Sequence, residues 1–296
     1  MIKNFIKEKN IECYEETSLK RYNTYRLDTV AKYIVFPKDK YELRDLLEYL
    51  NKKEEKYIVL GNGSKKKKKN DYYDGVVIIL SKLNKIEFND KIIEVSAGYS
   101  LQKLSLEACN KGLSGLEFAC GIPGHIGASI AMNAGAYNSS LENVVENVEV
   151  INKDFEIVTM TKESLEFSYR DSFFKKNKNY IIVSAKLKLE SGDKEEILKL
   201  ITKRRVKRLE TQPLDMPSAG SVFRNPEGYS AGALIEQANL KGYNINGAEV
   251  SRKHANFIVN TGGAKGIDIV NLIEKVKSDV KKEHNVDLLL EQIIID

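Results

Sequence analysis

The sequence has few of the residues that would mark a disulfide-stabilised, metal-binding or membrane-spanning protein. It contains three cysteines and three histidines in 296 residues, and no histidine lies at ligand spacing from a cysteine or a second histidine. So few cysteines argue against a disulfide framework, and the histidine spacing argues against a zinc site. No apolar run approaches the roughly 18–20 residues of a membrane helix, and the charged first residues do not resemble a secretory signal. We therefore expect a cytoplasmic protein without a metal.

The charge balance favours a small anionic ligand over a nucleic acid. There are 47 basic and 42 acidic residues, which gives a formal net charge of +5. This excess is compatible with an anionic small molecule and too weak to require nucleic acid. Apolar residues make up 42% and charged residues 30%, as in ordinary globular proteins. We expect a monomer that acts on small molecules, without a nucleic-acid or membrane partner.

Hydrophobic periodicity and capping residues predict an α+β fold with two lobes. Predicted strands cover 30–36, 57–60, 76–80, 92–96, 144–151, 156–159, 180–189, 256–259 and 288–295, and predicted helices cover 41–52, 101–111, 194–210, 230–238 and 266–284. Prolines at 213, 217 and 226 mark a domain boundary. Residues 1–210 then form the larger lobe, with a βαβ subdomain over about 1–80 and a meander over about 81–210, and residues 211–296 form the smaller lobe.

Two glycine-rich stretches could present backbone N–H groups to a phosphate. Residues 61–64 (GNGS) follow a predicted strand, and residues 121–129 (GIPGHIGAS) carry no charge unless His125 is protonated. A tight turn and a packed turn are the alternative interpretations. The dinucleotide fingerprint fails because its sixth position is Lys66, and the sequence contains no P-loop pattern.

A run of five lysines, Lys65–Lys69, follows the first glycine-rich stretch. A solvated loop is one interpretation, and attraction of a polyanionic ligand is another. Nucleic-acid binding is a third, although interleaved aromatic residues are scarce here.

Three polar residues are candidates for chemistry. Arg170 lies between aromatic and small polar residues, where its guanidinium suits a substrate carboxylate or a surface acid. Ser221 is outside any hydrolase elbow, so it is either a proton donor or a turn residue. Glu291 lies in an apolar segment. On a strand it would share a face with Leu289 and Ile293, which is costly unless the carboxylate is paired, used, or reaches water at an edge.

Taken together, these segments resemble the UDP-N-acetylenolpyruvoylglucosamine reductase family, flavoenzymes of bacterial cell-wall precursor synthesis. The matching stretches are 23–26 (NTYR), 61–64 (GNGS), 115–124 (GLEFACGIPG), 132–137 (MNAGAY), 167–172 (FSYRDS), 212–214 (QPL), 217–226 (PSAGSVFRNP), 241–243 (KGY) and 253–264 (KHANFIVNTGGA). Their order and spacing agree over nearly the whole chain. The length resembles the shorter type of this reductase, which lacks an inserted tyrosine loop.

The resemblance implies an FAD-binding lobe of the vanillyl-alcohol-oxidase type and a smaller C-terminal α+β substrate domain. It implies FAD as cofactor, NADPH as reductant and UDP-N-acetylglucosamine enolpyruvate as substrate. Ser221 matches the family's proton donor, and Arg170 and Glu291 match the residues that stabilise the enolic intermediate. The implied cofactor-binding residues are Gly61, Asn62, Gly63, Ser64, Gly121, Ile122, Pro123, Gly124, Ile126, Gly127 and Ser129. The implied substrate-binding residues are Tyr169, Asn225, Tyr243 and Lys253.

The sequence departs from the family pattern at several positions. Lys65–Lys69 replace an asparagine and apolar residues, and Ala128 replaces a glycine. Two other functions therefore stay open. One is an oxidase of another small substrate on the same flavin fold, and the other is a nucleotide or nucleic-acid binder without flavin.

Overall fold

The computed structural model describes residues 2–61, 66–68 and 71–295, with only the backbone described at 66–68 and 295. Its described α-helices, α1–α8, are Ile2–Glu8, Lys40–Lys52, Leu101–Asn110, Ile126–Ala131, Phe173–Lys176, Lys194–Thr211, Ala231–Gln237 and Gly266–His284. Its described strands, β1–β19, are Glu12–Ser18, Val30–Phe36, Tyr57–Leu60, Lys66–Lys68, Tyr72–Ile79, Ile86–Asn89, Ile92–Ser96, Leu113–Ser114, Gly135–Ala136, Ser139–Ser140, Val145–Ile151, Ile157–Thr161, Ile181–Lys188, Glu190–Ser191, Ser218–Ser221, Asn244–Ile245, Ala248–Val250, Phe257–Asn260 and Ile293–Ile295. The predicted cofactor-binding residues Asn62, Gly63 and Ser64 lie outside the described residues, as do Lys65 and Lys69.

The chain folds into two compact units. The first comprises Met1–Glu15, Tyr33–Asn62 and Gly75–Val206, and the second comprises Glu16–Lys32, Gly63–Asp74 and Lys207–Asp296. The last segment of the second unit begins close to the predicted boundary after residue 210. Two earlier segments also belong to the second unit, and local periodicity gives no sign of that.

The first unit has a core of aliphatic side chains. Its five-stranded antiparallel sheet has the order β12-β11-β13-β7-β6. Helix α2 begins after Asp39, whose carboxylate accepts hydrogen bonds from the amides of Tyr41 and Glu42 at 3.0 and 2.8 Å. The apolar stripe of α2 repeats at helical spacing, so one face is buried; it consists of Leu43, Leu46, Leu47 and Leu50. Strand β3 pairs in parallel with β5 and ends at the buried Leu60, so Gly61 lies directly after the carboxyl end of this strand.

The second unit has its own core, built by α7 and α8 and an antiparallel sheet in the order β15-β18-β17-β16. Helix α8 has the predicted bounds because its apolar stripe and its end signal agree. The stripe is formed by Ile269, Leu272, Ile273, Val276 and Val280. The helix ends at His284 and is capped by Asn285, which adopts a left-handed φ of 55°.

The predicted strand 288–295 is wrong for its first five residues, because only Ile293–Ile295 form a strand. The preceding segment makes single contacts instead of a ladder: the Arg224 amide donates to the Leu289 carbonyl and the Glu291 amide to the Val222 carbonyl, both at 2.9 Å. Leu289 is 65% exposed. The expectation that Glu291 shares a buried apolar face with Leu289 is therefore also wrong.

Candidate functional site

The first glycine-rich stretch packs against the second at Gly61. A Cβ atom at this position would lie 2.9 Å from the Cβ of Ala128 and 3.9 Å from that of His125. The first distance is shorter than real Cβ contacts, so a side chain at position 61 would force the two segments apart. The structure thus brings together, at Gly61, two stretches that the sequence predicts to act on one phosphate group.

The second stretch is anchored by its own amides. The amide of Ile126 donates to the Tyr99 carbonyl and that of Gly127 to the Ala97 carbonyl, each at 2.9 Å. The amide of Ser129 donates to the His125 carbonyl at 2.9 Å. These three predicted cofactor-binding residues therefore use their amides to hold the loop in place. Gly127 is also required sterically, because a Cβ there would lie 2.8 Å from the Cβ of Ala97.

Other donors of the same loop have no protein acceptor. Within the described residues, the amides of Gly124, His125 and Ala128 make no hydrogen bond, and the buried Nδ1 of His125 has no partner. Burial lowers the pKa of His125, which favours the neutral imidazole. Adjacent unpaired N–H groups of this kind bind anions. The residues present therefore fit a phosphate-bearing group. Gly124 is among the predicted cofactor-binding residues, whereas His125 and Ala128 are not.

Arg170 is held by backbone carbonyls of the segment 132–137. Its Nη2 donates to the Gly135 carbonyl at 2.6 Å and its Nη1 lies 3.5 Å from the Asn133 carbonyl. Asn133 is buried, and its Nδ2 donates to the Ser168 carbonyl at 2.9 Å. Arg170 itself has a left-handed φ of 55°, a conformation that non-glycine residues seldom adopt. The guanidinium is thus positioned by two stretches of chain that the sequence treats as separate motifs.

Tyr169 lies beside that guanidinium and is 58% exposed. The guanidinium carbon of Arg170 is 5.3 Å from the centre of the Tyr169 ring. A cation over an aromatic face at this distance is stabilised electrostatically. The pair leaves an accessible aromatic ring next to a fixed positive charge.

Ser221 and Glu291 lie on backbone segments that are bonded to one another. The amide of Glu291 donates to the carbonyl of Val222, the residue after Ser221, at 2.9 Å. Gly220, directly before Ser221, has a φ of 72°, and the β15–β18 pairing shifts register between Ser218 and Ser221. The serine therefore lies at a bulge, where strands commonly redirect a side chain.

Buried amide side chains hold the Ser221 segment, and sequence reasoning missed them. Asn256 accepts from the Phe223 amide at 3.0 Å and donates to the Phe223 carbonyl at 2.9 Å. The side-chain amide nitrogen of Gln292 lies 3.3 Å from the Ser221 carbonyl. Asn256 lies within the matched stretch 253–264. Gln292 is a polar residue in an apolar segment, which is the same signal that pointed to Glu291.

The predicted substrate-binding residues of the second unit occupy different local settings. Asn225 accepts a hydrogen bond from the Ala231 amide at 3.1 Å and so supports the start of α7. The Lys275 ammonium lies 5.6 Å from the ring centre of Tyr243, which is 42% exposed. The ammonium of Lys253 donates to the carbonyl of Leu209. Each residue has a structural contact, and all three side chains are exposed.

The described residues form neither a metal-ligand cluster nor a membrane-spanning helix. They contain no group of three or more His, Cys, Asp and Glu side chains arranged to hold a metal ion. None of the helices in this part of the chain is both long enough and apolar enough to cross a membrane.

Two family models match the two parts of the chain. The model described as FAD binding domain matches residues 31–161. The model described as UDP-N-acetylenolpyruvoylglucosamine reductase, C-terminal domain, matches residues 212–295. The second match begins next to Pro213, the first of the three prolines at the predicted boundary.

Curated proteins of the same name match over almost the full length. The UDP-N-acetylenolpyruvoylglucosamine reductase of Caldanaerobacter subterraneus is 40% identical over 294 residues, covering 99% of this chain and 96% of the relative. That of Bacillus pumilus is 37% identical over 296 residues, covering 99% and 98%.

Solved structures agree with this assignment. The UDP-N-acetylenolpyruvylglucosamine reductase of Thermus caldophilus has a TM-score of 0.81 and 33% identity, and covers 97% of this chain and 99% of that one. The Physcomitrella patens BBE-like 1 protein has a TM-score of 0.50 and 15% identity over 64% of this chain and 44% of its own, so it shares the fold alone. The predicted α+β fold, an FAD-binding domain of the vanillyl-alcohol-oxidase type followed by a C-terminal domain, is confirmed. The chain belongs to the UDP-N-acetylenolpyruvoylglucosamine reductase family.

Proposed function

We propose that this chain reduces the enolpyruvyl ether of UDP-N-acetylglucosamine to UDP-N-acetylmuramate, with FAD as its cofactor and NADPH as the electron donor. Membership of the reductase family over the full length supports this function. The structural observation that supports it best is the hydrogen bond from the Glu291 amide to the Val222 carbonyl. This bond joins the segments of Glu291 and Ser221.

In this proposal the glycine-rich loops bind the pyrophosphate of FAD. The unpaired amides of Gly124, His125 and Ala128 donate to the phosphate oxygens, and Gly61 allows close approach because it has no Cβ. The other predicted cofactor-binding residues of 121–129 shape the loop. When bound, FAD supplies the hydride chemistry that no side chain in this sequence can perform.

The side chains complete the reduction by supplying a proton and by stabilising charge. Addition of a hydride to the vinyl carbon remote from the substrate carboxylate would build negative charge on the carboxylate side. Arg170 stabilises that charge, since its guanidinium is already fixed by the Gly135 and Asn133 carbonyls and needs no reorganisation. Glu291 stabilises the same enolic form. The Ser221 hydroxyl would then give a proton to the carbon next to the carboxylate, so that hydride and proton together saturate the double bond.

Four further residues complete the proposed substrate site. Tyr169 lies next to Arg170 and offers an exposed ring, while Asn225, Tyr243 and Lys253 bind the nucleotide and diphosphate of the substrate. Lys253 has the charge that a diphosphate requires, and its ammonium is now bonded to the Leu209 carbonyl. A monomeric state and a cytoplasmic location stay predictions, as does the division into domains 1–210 and 211–296.

The test is NADPH oxidation measured with and without the enolpyruvyl nucleotide sugar. The proposal expects oxidation that depends on this sugar and yields the lactyl ether in equal amount. Ser221→Ala should slow reduction of the sugar while flavin reduction by NADPH stays close to normal. NADPH oxidation that does not depend on the sugar and consumes oxygen would instead support an oxidase of another small substrate. An equal fall of both half-reactions in Ser221→Ala would refute the proton-donor role.

A further inference from the structure

Gln292 is a buried side chain that gathers three consecutive carbonyls around Ser221. Its side chain is 4% exposed, and its Nε2 lies 3.3 Å from the Ala219 carbonyl, 3.2 Å from that of Gly220 and 3.3 Å from that of Ser221. A carboxamide nitrogen has two N–H donors, so the three carbonyls share them. The side chain therefore binds the whole bulge that ends at Ser221.

The bulge needs such a donor for a geometric reason. In a regular strand, successive carbonyls point to opposite sides, so three in a row cannot meet one nitrogen. Here Gly220 has a φ of 72° and the β15–β18 register shifts at this point, which turns the carbonyls toward one another. A buried carbonyl without a donor is destabilising. Gln292 adds a buried side-chain donor at this point of the strand.

Tyr25 orients Gln292 from the other side. Its hydroxyl donates to the Gln292 Oε1 at 3.4 Å and also interacts with the backbone of Ala219. Tyr25 is fully buried, and burial raises its pKa far above the ordinary value, so the hydroxyl remains a neutral donor. Its own carbonyl accepts from the Nδ2 of the buried Asn260 at 2.9 Å. The contact fixes which end of the carboxamide faces the bulge.

The same side chain constrains Glu291 through the main chain. Glu291 directly precedes Gln292, and its amide is bonded to the Val222 carbonyl. With the Gln292 side chain held at the bulge and the Glu291 backbone held one residue beyond Ser221, the two segments cannot slide past each other. Ser221 and Glu291 therefore keep a fixed backbone relationship.

We propose that Gln292 and Tyr25 are positioning residues for the protonation step. Together they hold the Ser221 hydroxyl and the Glu291 carboxylate in the arrangement that protonates the reduced substrate. This inference rests on the proposed role of Ser221 as proton donor. Neither residue has a part in the delivery of hydride from NADPH, so their loss should affect the two half-reactions unequally.

The experiment compares the two half-reactions of the FAD-loaded enzyme by rapid mixing. Gln292→Leu removes the amide at similar size and Tyr25→Phe removes one oxygen. We expect Gln292→Leu to slow flavin reoxidation by the enolpyruvyl sugar about tenfold to a hundredfold, as small misplacements of reacting groups do. Flavin reduction by NADPH should change less than about twofold, as expected for a step that these side chains do not touch. Tyr25→Phe should also slow flavin reoxidation more than flavin reduction, by a smaller factor. This variant serves as the test if Gln292→Leu folds poorly.

Two comparisons separate positioning from a general loss of stability. Val276→Ala removes buried side-chain volume from α8 in the same unit, so it should lower the melting temperature while both half-reactions stay balanced. The double variant Tyr25→Phe/Gln292→Leu should slow reoxidation by less than the product of the single effects, because the residues act as one unit.

The outcomes distinguish this inference from the proposed function. A parallel fall of both half-reactions in Gln292→Leu, or no change in either while Ser221→Ala slows reoxidation, would overturn the positioning role alone. Normal reoxidation in Ser221→Ala would remove the proton-donor role, and this inference with it.

Discussion

The amide of Glu291 donates to the carbonyl of Val222 at 2.9 Å, and this bond places a carboxylate segment next to the proposed proton donor Ser221. The two residues are far apart in the sequence, and neither lies in a long regular element. Their relationship depends on a bulge at Gly220 and on buried amide side chains.

The close contact between Gly61 and Ala128 predicts a rescue by exchange. Gly61→Ala should weaken FAD binding about tenfold or more, since overpacking of this kind costs about 1–3 kcal/mol. Ala128→Gly removes the atom that the new Cβ would meet at 2.9 Å, so the double variant should regain most of the affinity. Fluorescence titration of the apoprotein with FAD measures both changes. An equal loss in the single and double variants would contradict the proposed packing.

We expect arginine and lysine at position 170 to differ in the rate at which the sugar is reduced. A lysine cannot keep both contacts of the guanidinium, with the Gly135 and Asn133 carbonyls, and still present a charge to the substrate. Arg170→Lys should slow reduction of the sugar about 10²-fold or more, the usual effect of losing one preorganised charge donor. Stopped-flow reoxidation of the reduced flavin gives this rate. Arg170→Lys with wild-type reoxidation would show that the guanidinium geometry is not used.

We expect loss of the buried Asn256 side chain to destabilise the protein, because its hydrogen bonds to Phe223 are lost. Asn256→Ala removes both side-chain bonds to Phe223 and leaves that backbone unpaired, which should lower the free energy of unfolding by about 2–4 kcal/mol. Asn271→Ala on the exposed side of α8 is the control, with an expected change within about 0.5 kcal/mol. Urea denaturation of both variants provides the comparison. Equal stability of the two would contradict the buried role of Asn256.

His125 predicts a loss of stability at acid pH. Burial lowers its pKa below 6.5 in the folded protein, whereas the unfolded chain titrates near 6.5. The stability that depends on the neutral form is therefore complete above about pH 6.5 and is lost as the pH falls toward the folded pKa. His125→Gln should make the fall in unfolding free energy between pH 7.5 and about 5.5 shallower. An identical pH slope in wild type and variant would contradict this origin.

Regular elements were predictable from the sequence where periodicity and caps agreed. Helix α8 and strand β2 have the predicted bounds, and Asp39 caps α2 as its position indicates. The strand predicted for the segment before Ile293 is wrong, because an apolar run forms a strand only if a neighbouring strand supplies a ladder of hydrogen bonds. Here only single bonds to residues 222–224 form, so the alternation of faces is lost.

The chemistry of the site was predictable only in part. Ser221 and Glu291 were recognised through the resemblance, and Gly61 through its glycine-rich stretch. The amides of Ile126, Gly127 and Ser129 already donate to protein carbonyls. No sequence motif reveals this, because the hydrogen-bond partners of an amide are known only once the fold is known. Gln292 and Tyr25 meet across 267 positions of sequence, so local patterns cannot pair them.

The most direct test of the proposed function is an anaerobic single turnover. The FAD-loaded protein is reduced with one equivalent of NADPH, mixed with the enolpyruvyl nucleotide sugar in the absence of oxygen, and followed by flavin absorbance. We expect the flavin to reoxidise and one equivalent of the lactyl ether to form. A flavin that stays reduced until air is admitted, with the sugar recovered unchanged, would contradict it.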